Sequence, residues 1–372
     1  MAPTVSDIIH VMDNLAPPTL AEDWDNVGLQ VGDPCRMVQK IGVALDPTFE
    51  VVDRACRRSI DLLITHHPLI FKPLKSIAVN TPTGSVIHLA TRNHLAIFAA
   101  HTNLDSAIGG INDILANRIG LSNLEPLAQG KPSRRFKIVI YVPPASEKNI
   151  AELLFQTRSH NRQAGRFEDD CRAELKAIRV ATGEILENRT SGSFLRQKRV
   201  RIEAEVGNQE LSAVIEALAQ YQAEDKVCYD VYSLISQKTH SGMGRVGKLE
   251  DVMDLKSFAL MIKKKLGLEF LKLTGDPGLP VHKAAVCSGS GSSLLSNFFK
   301  SGAQAYISGD LGYHDARDVQ AANLGLIDIG HFPSEHLIVN VLADRLKEIF
   351  IASQIDATVD VCDLERDPFM AL

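Results

Sequence analysis

Two histidines stand side by side in Asp61-Leu62-Leu63-Ile64-Thr65-His66-His67-Pro68-Leu69-Ile70-Phe71. Leu62, Leu63 and Ile64 form an apolar run too short for a helix and read as a buried strand. Pro68 cannot donate to a sheet ladder and pushes His67 into an extended conformation, so the strand ends on the imidazoles. Successive strand side chains point to opposite faces, which lets the two rings diverge, each towards a different ion. Further strand ends carry the same residue types: His101 to Asp105 after the AIFAA run, Asp310 and His314 after Ala305 to Ser308, and His331, Glu335 and His336 after Leu326 to Ile329. A lone histidine at such a position is more often structural, so the inference rests on the four junctions together. Imidazole and carboxylate without sulfur suit zinc, iron, manganese or similar divalent ions rather than a thiolate site. The set exceeds what one open catalytic ion needs and fits a two-metal cluster with a bridging carboxylate, a constellation that activates water for hydrolysis.

These junctions need elements to hold them. Helices are expected over residues 4–15, 48–57, 85–93, 254–266 and 315–323, and from Pro333 through Ile349. Strands are expected over 40–45, 62–64, 96–100, 270–273, 282–286, 305–308, 326–329 and 356–363. Such alternation implies a largely parallel α/β sheet, in which ligands gather beyond the carboxyl ends of the strands. Both early histidine clusters fall at such ends.

Three stretches admit two readings each. The loop Ala21 to Gly32 holds the single tryptophan, Trp24, among acids and glycines; it is either a turn packed over the core or a rim of the site. Ser241 to Gly247 has three glycines in seven residues and suits a tight turn or hinge, with a loose likeness to a nucleotide loop. Cys287 to Leu295 is small and glycine-rich and runs into a helix, which suits either a tight strand-to-helix turn or a site for a phosphate or carboxylate.

Between Gly130 and the glycines near 242 the pattern changes. Strands at 134–142, 198–206 and 226–234 and helices at 147–158 and 209–221 describe a βαβ-type insert of about 115 residues, a reasonable small domain. The domains are therefore a core in two halves, 1–130 and 246–372, around an insert at 131–245. Histidines occur in the insert only near its edges, at His160 and His240, so a structural, regulatory or lid role suits it better than chemistry.

Composition narrows the class. A chain of 372 residues with 45% hydrophobic and 23% charged residues suits an ordinary globular protein of two or three domains. A net charge of −5 argues against a dominant nucleic-acid surface. No apolar run approaches the ~20 residues of a membrane helix, and residues 1–7 lack a secretory pattern. The six cysteines, Cys35, Cys56, Cys171, Cys228, Cys287 and Cys362, form no Cys-x-x-Cys pair and read as reduced thiols of a cytoplasmic protein.

Several motifs together resemble the Nif-three-like family, often labelled GTP cyclohydrolase 1 type 2. They are Trp24-Asp25-Asn26-x-Gly28-Leu29-x-x-Gly32, Thr65 to Phe71, His101-Thr102-Asn103-Leu104-Asp105, Ser308-Gly309-Asp310 with His314, and Gly330-His331-x-x-Ser334-Glu335. The resemblance covers both core halves. It implies a layered α/β core with a ferredoxin-like, PII/CutA-like insert. It further implies two divalent metal ions per chain, one on His66 and Asp105, the other on His67 and His331, with Glu335 bridging. His101 and His314 would sit close by and handle protons. A toroidal homohexamer and a nucleotide substrate are implied likewise. Tyr221-Gln222-Ala223-Glu224-Asp225 departs from the family's pattern before the insert's last strand. The expected activity is opening of the guanine imidazole ring of GTP by metal-activated water. A two-metal phosphoesterase and a metal-binding scaffold or regulatory protein remain as alternatives.

Overall fold

A computed structural model describes residues 2–130, 135–160, 179–188, 194–221, 227–234, 240–362 and 364–370. The chain divides into two compact units, Met1–Lys131 with Thr239–Leu372, and Pro132–Lys238.

The first unit opens with a capping box. Asp7 N–H donates to the Thr4 hydroxyl (3.2 Å) and Thr4 N–H to the Asp7 carboxylate (2.8 Å), which starts α1 (Val5–Leu15). There follow β1 (Gly28–Val31), β2 (Lys40–Ala44), α2 (Phe49–Arg57), β3 (Leu62–Thr65), α3 (Pro82–Arg92), β4 (Ala96–Ala99), α4 (Thr102–Ser106), α5 (Ile111–Ile119) and β5 (Ser122–Gln129). The second unit holds β6 (Arg135–Val142), α6 (Glu147–His160), β7 (Arg179–Asn188), β8 (Phe194–Gly207), α7 (Asn208–Gln220) and β9 (Cys228–Leu234). The chain then returns to the first unit through β10 (Gly242–Asp254), α8 (Leu255–Leu266), β11 (Lys272–Thr274), β12 (Pro280–Ser290), α9 (Leu295–Ser301), β13 (Ala305–Gly309), α10 (Tyr313–Ala321), β14 (Gly325–Asp328), α11 (His331–Glu335), α12 (Leu337–Ala352) and β15 (Thr358–Val361).

Two sheets form the first unit. One has the order β1-β4-β3-β2-β15, with β15, β2, β3 and β4 parallel and β1 antiparallel at the edge. The other has the order β11-β14-β13-β12-β10-β5, parallel through β12, β13 and β14 and antiparallel outside them. The parallel strands are buried on both faces, which explains why LLIT and AIFA read as continuous apolar runs. Ile8, Met12, Ile64, Phe98 and Leu346 join α1, α12 and the first sheet in one core. Leu115, Phe258, Ile307 and Ile327 join α5, α8 and the second sheet in another. Because α5 gives Ile111 to the first core and Leu115 to the second, it ties the two layers together.

The glycine-rich run at 241–247 is not a hinge. It begins β10, which pairs with both β12 and β5. Its glycines serve close strand approach: Gly244 takes φ +65°, and a Cβ there would lie 2.8 Å from the Val286 carbonyl. Strands β1, β5 and, in the second unit, β7 lie where the sequence pattern marks no strand.

The second unit runs βαββαβ, with an antiparallel sheet in the order β7-β8-β6-β9. That is the connectivity of the split-βαβ motif. Ile138, Ile140, Ile150, Leu154, Val200, Ile202, Val214 and Leu218 form its core. Residues 222–225, singled out in the sequence, lie outside the described residues. Among the described residues no helix is long and apolar enough to cross a membrane.

Candidate metal centre

The parallel strands of both sheets end at one place. β3 delivers His66 and His67, and β4 delivers His101, with Asp105 one helical turn further on. From the second sheet, β13 leads to Asp310, and β14 leads through Gly330 into α11, which carries His331 and Glu335 four residues apart on one face.

Glu335 is the meeting point. Its Oε2 lies 3.0 Å from His67 Nε2 and 2.9 Å from His331 Nε2, and its Oε1 lies 3.7 Å from His66 Nε2. Asp105 Oδ1 lies 3.8 Å from the same His66 nitrogen. Two overlapping sets have their ligand atoms within 4.8 Å of one another: His66, His67 and His101, and His67, His331 and Glu335. His101 therefore lies within ligand range of the paired histidines. His66, Asp105 and Glu335 are buried, while His67 and His331 are partly open.

Each imidazole is anchored through its outer nitrogen. His66 Nδ1 pairs with the Ala100 carbonyl (3.0 Å), His67 Nδ1 with Asp46 (2.7 Å), His101 Nδ1 with Asp25 (2.9 Å) and His331 Nδ1 with Asp310 (2.7 Å). With Nδ1 donating, Nε2 is the atom each ring would offer to a metal once it is neutral, the orientation that metal-binding histidines share. Asp310 adopts φ +53°, a left-handed conformation that Asp tolerates better than most residues. Asp105 accepts from the Ser288 hydroxyl at 3.2 Å.

The residues fit a cationic ligand. Buried polar atoms nearly always have a hydrogen-bond partner. His66 Nε2 and Glu335 Oε2 are buried and have none, so the short contacts around Glu335 are close without hydrogen-bond alignment. A cation accepts electron pairs from both kinds of atom.

Electrostatics tell the same story. Burial opposes charge on His67, but Asp46 and Glu335 overcome it and raise its pKa to about 10. Glu335 lifts His331 to about 9 against burial, with help from Asp310. Burial pushes Glu335 up, and the three imidazoles more than reverse this, holding it well below the usual carboxylate range. Burial would raise Asp25, but His101 and Thr102 bring it down to about 2. Asp105 is raised, chiefly by burial.

Gly289 completes the floor. It takes φ +60°, and a Cβ there would collide with Glu335 Oε1. Its N–H donates to the Ser334 hydroxyl (2.8 Å), and Ser288 N–H donates to Asn112 (2.8 Å). Residues 288–290 are thus the end of β12, with these two donors already used, which removes them from an anion site.

Of the sequence-derived residues, His66, His67, His101, Asp105, His331 and Glu335 come together. His314 is exposed at the start of α10, where its ring packs edge-on against Tyr313 at 5.4 Å between centroids. Among the described residues it makes no hydrogen bond or ion pair to the cluster. Trp24 stands at the rim, with ring centroids 5.9 Å from His101 and 5.6 Å from Phe71. Sequence reasoning missed Asp46 altogether, and with it Glu365, which accepts from Leu45 N–H (2.8 Å) and Asp46 N–H (2.5 Å) and so fixes the turn carrying Asp46.

A layered α/β core whose strand ends converge on imidazoles and carboxylates has well-matched relatives. The chain matches the family described as Duf34/NIF3 (NGG1p interacting factor 3) over residues 3–368. It is 31% identical over 370 residues to a Bacillus subtilis protein named "GTP cyclohydrolase 1 type 2 homolog", covering 98% of both chains. A Mycobacterium tuberculosis protein of the same name is 31% identical over 382 residues, covering 99% of this chain and 97% of the relative. Among solved structures, a Bacillus cereus protein related to NIF3 matches with a TM-score of 0.80 at 31% identity and full coverage of both chains. Reduced HcgD from Methanocaldococcus jannaschii shares the fold, with a TM-score of 0.57 at 21% identity, covering 97% of this chain and 98% of that one. The chain belongs to the Duf34/NIF3 family.

Proposed function

We propose that this chain is a divalent-metal-dependent hydrolase acting on a nucleotide, with GTP as the first substrate to test. The observation that carries the reading is the position of Glu335 among three imidazoles whose Nε2 atoms face it and whose Nδ1 atoms are pinned from behind. Relatives named GTP cyclohydrolase 1 type 2 homolog support the choice of substrate.

His66 and Asp105 would hold one ion, His67 and His331 a second, and Glu335 both. Bound there, about two divalent cations would supply Lewis acidity and make water a nucleophile near neutral pH. The protein's own groups do the rest. His101 takes the proton of the attacking water at Nε2, and Asp25 at its Nδ1 steadies the imidazolium that results. Water adds to the guanine carbon between the two imidazole-ring nitrogens. His101 returns the proton to the departing ring nitrogen, the ring opens, and a second hydration releases the carbon as formate. His314, exposed at the start of α10 and four residues after Asp310 in the sequence, is the outer candidate for exchanging protons with solvent.

The test is formate release from GTP by purified protein, before and after chelation. Turnover that disappears on chelation and returns with added metal supports the reading. A metal-loaded protein that releases no formate from GTP with zinc, iron or manganese overturns it. That result would direct attention to phosphoester substrates or to a scaffold role.

A further inference from the structure

Trp24 and Phe71 are both more than half exposed, at 58% and 52%, yet both stand beside the cluster on hydrogen-bonded loops. Large aromatic side chains left in solvent on mobile loops need no explanation, but these loops are braced. Asp25 accepts from Thr102 N–H (3.0 Å) and pairs with His101. Glu22 N–H donates to the Thr102 hydroxyl at 3.0 Å. The two loops are also tied to each other: Asn26 Nδ2 donates to the Ile70 carbonyl (2.6 Å), and Ile70 N–H donates to Gln30 Oε1 (3.2 Å). Each aromatic ring therefore follows or precedes a residue fixed by hydrogen bonds.

We propose that Trp24 and Phe71 form a platform on which a planar heteroaromatic ring, a nucleobase by class, stacks beside His101. The proposal rests on the hydrolase reading above and specifies which end of the substrate is gripped where. Trp24 meets Phe71 at 5.6 Å and 50° and His101 at 5.9 Å edge-on, so a ring laid on Trp24 lies next to the proposed proton acceptor. Charge sorts the two ends of a nucleotide. Glu22 and Asp23 precede Trp24 and repel phosphate, whereas Lys72 and Lys75, both exposed, follow Phe71 in its own loop and attract it. Pre-set rings lose little freedom on binding, and a stacked base loses about tenfold or more in affinity when its aromatic partner is truncated.

Trp24 is the only tryptophan in the chain, so its emission reports on the site directly. The experiment titrates the full-length, metal-loaded protein with GTP, guanosine and inorganic triphosphate. Trp24 emission is followed, and formate release is measured in the same samples. GTP and guanosine should both change the emission saturably, and triphosphate should not. Phe71→Ala should weaken GTP binding by about tenfold. By calorimetry, Trp24→Ala should weaken it similarly while Trp24→Phe retains it, all with unchanged metal content. The platform is refuted by equal responses to triphosphate and GTP, by wild-type affinity in Trp24→Ala, or by a Trp24 that acrylamide cannot reach in the native protein. Stacking without formate release would sink the hydrolase reading and keep the platform. Formate release indifferent to both aromatic substitutions would do the reverse.

Discussion

Glu335, at the end of α11, stands 3.0 Å from His67, at the end of β3, and this contact joins the carboxyl ends of two different sheets. The residues are 268 positions apart in sequence (335 − 67) and meet because α5 and α12 pack the sheets into one unit. Neither residue is in an ordinary state. The imidazole is raised to about 10 and the carboxylate is held well below its usual range. The pair is charged as it stands, and a cation that binds there must displace protons.

That exchange is measurable. His67, near 10, and His331, near 9, carry protons at pH 8 in the metal-free protein, whereas a metal needs the neutral rings. Metal uptake at about pH 8 should release about two protons per chain, read by calorimetry in buffers of different ionisation enthalpy. Apparent affinity should climb with pH until about 10 and then level off. Since both values lie above the ordinary 6.5, the stability these groups give the metal-free fold is complete below about pH 6.5. It is lost as pH rises through 9 and 10, so metal-free protein should melt lower at pH 10 than at pH 6.

Asp46 orients His67 from behind without facing the cluster. Asp46→Asn keeps the shape but weakens the anchor, and metal affinity should fall about 10- to 100-fold in a chelator competition. Circular dichroism should be unchanged. An Asp46→Asn protein that binds metal as tightly as wild type would remove Asp46 from the account.

Glu365 acts one step further out. Glu365→Ala strips the acceptor from the buried Leu45 N–H and the Asp46 N–H, a loss of about 1–3 kcal/mol for each group left unsatisfied. A lower denaturation midpoint together with weaker metal binding is expected. Unchanged stability would show that those donors find other partners.

Gly289→Ala tests the floor of the site. The residue would pay for a left-handed backbone, about 1–2 kcal/mol, and its methyl group would press on Glu335 Oε1. Metal affinity should drop more than in Asp46→Asn, because the proposed bridging group itself is displaced. Full retention of metal would mean that Glu335 is free to move aside.

The ligand cluster was legible because short apolar strands end abruptly on His and Asp, and Pro68 marks one such end. Its supporting residues were not. Asp46 sits in a Leu-Asp-Pro turn that carries no signal of its own, and Glu365 reaches it from a position 319 residues away. Gly289 reads as part of a phosphate-type turn because small residues and glycines look alike whether they approach a ligand or a carboxylate of the same chain. The glycines of β10 misled for a related reason: close approach between strands and freedom at a hinge ask for the same residue. Strand β5 was hidden by Pro126 and by polar residues, which only an edge strand tolerates.

Glu335 and the histidines around it are expected to hold metal. The most direct test strips the full-length protein with chelator, restores zinc, iron or manganese, removes the excess, and counts the metal by elemental analysis. About two ions per chain are expected in the wild type, and about one or none in Glu335→Gln with the fold intact by circular dichroism. A wild-type protein that takes up no ion, or a Glu335→Gln protein that holds as many as wild type, would contradict the account.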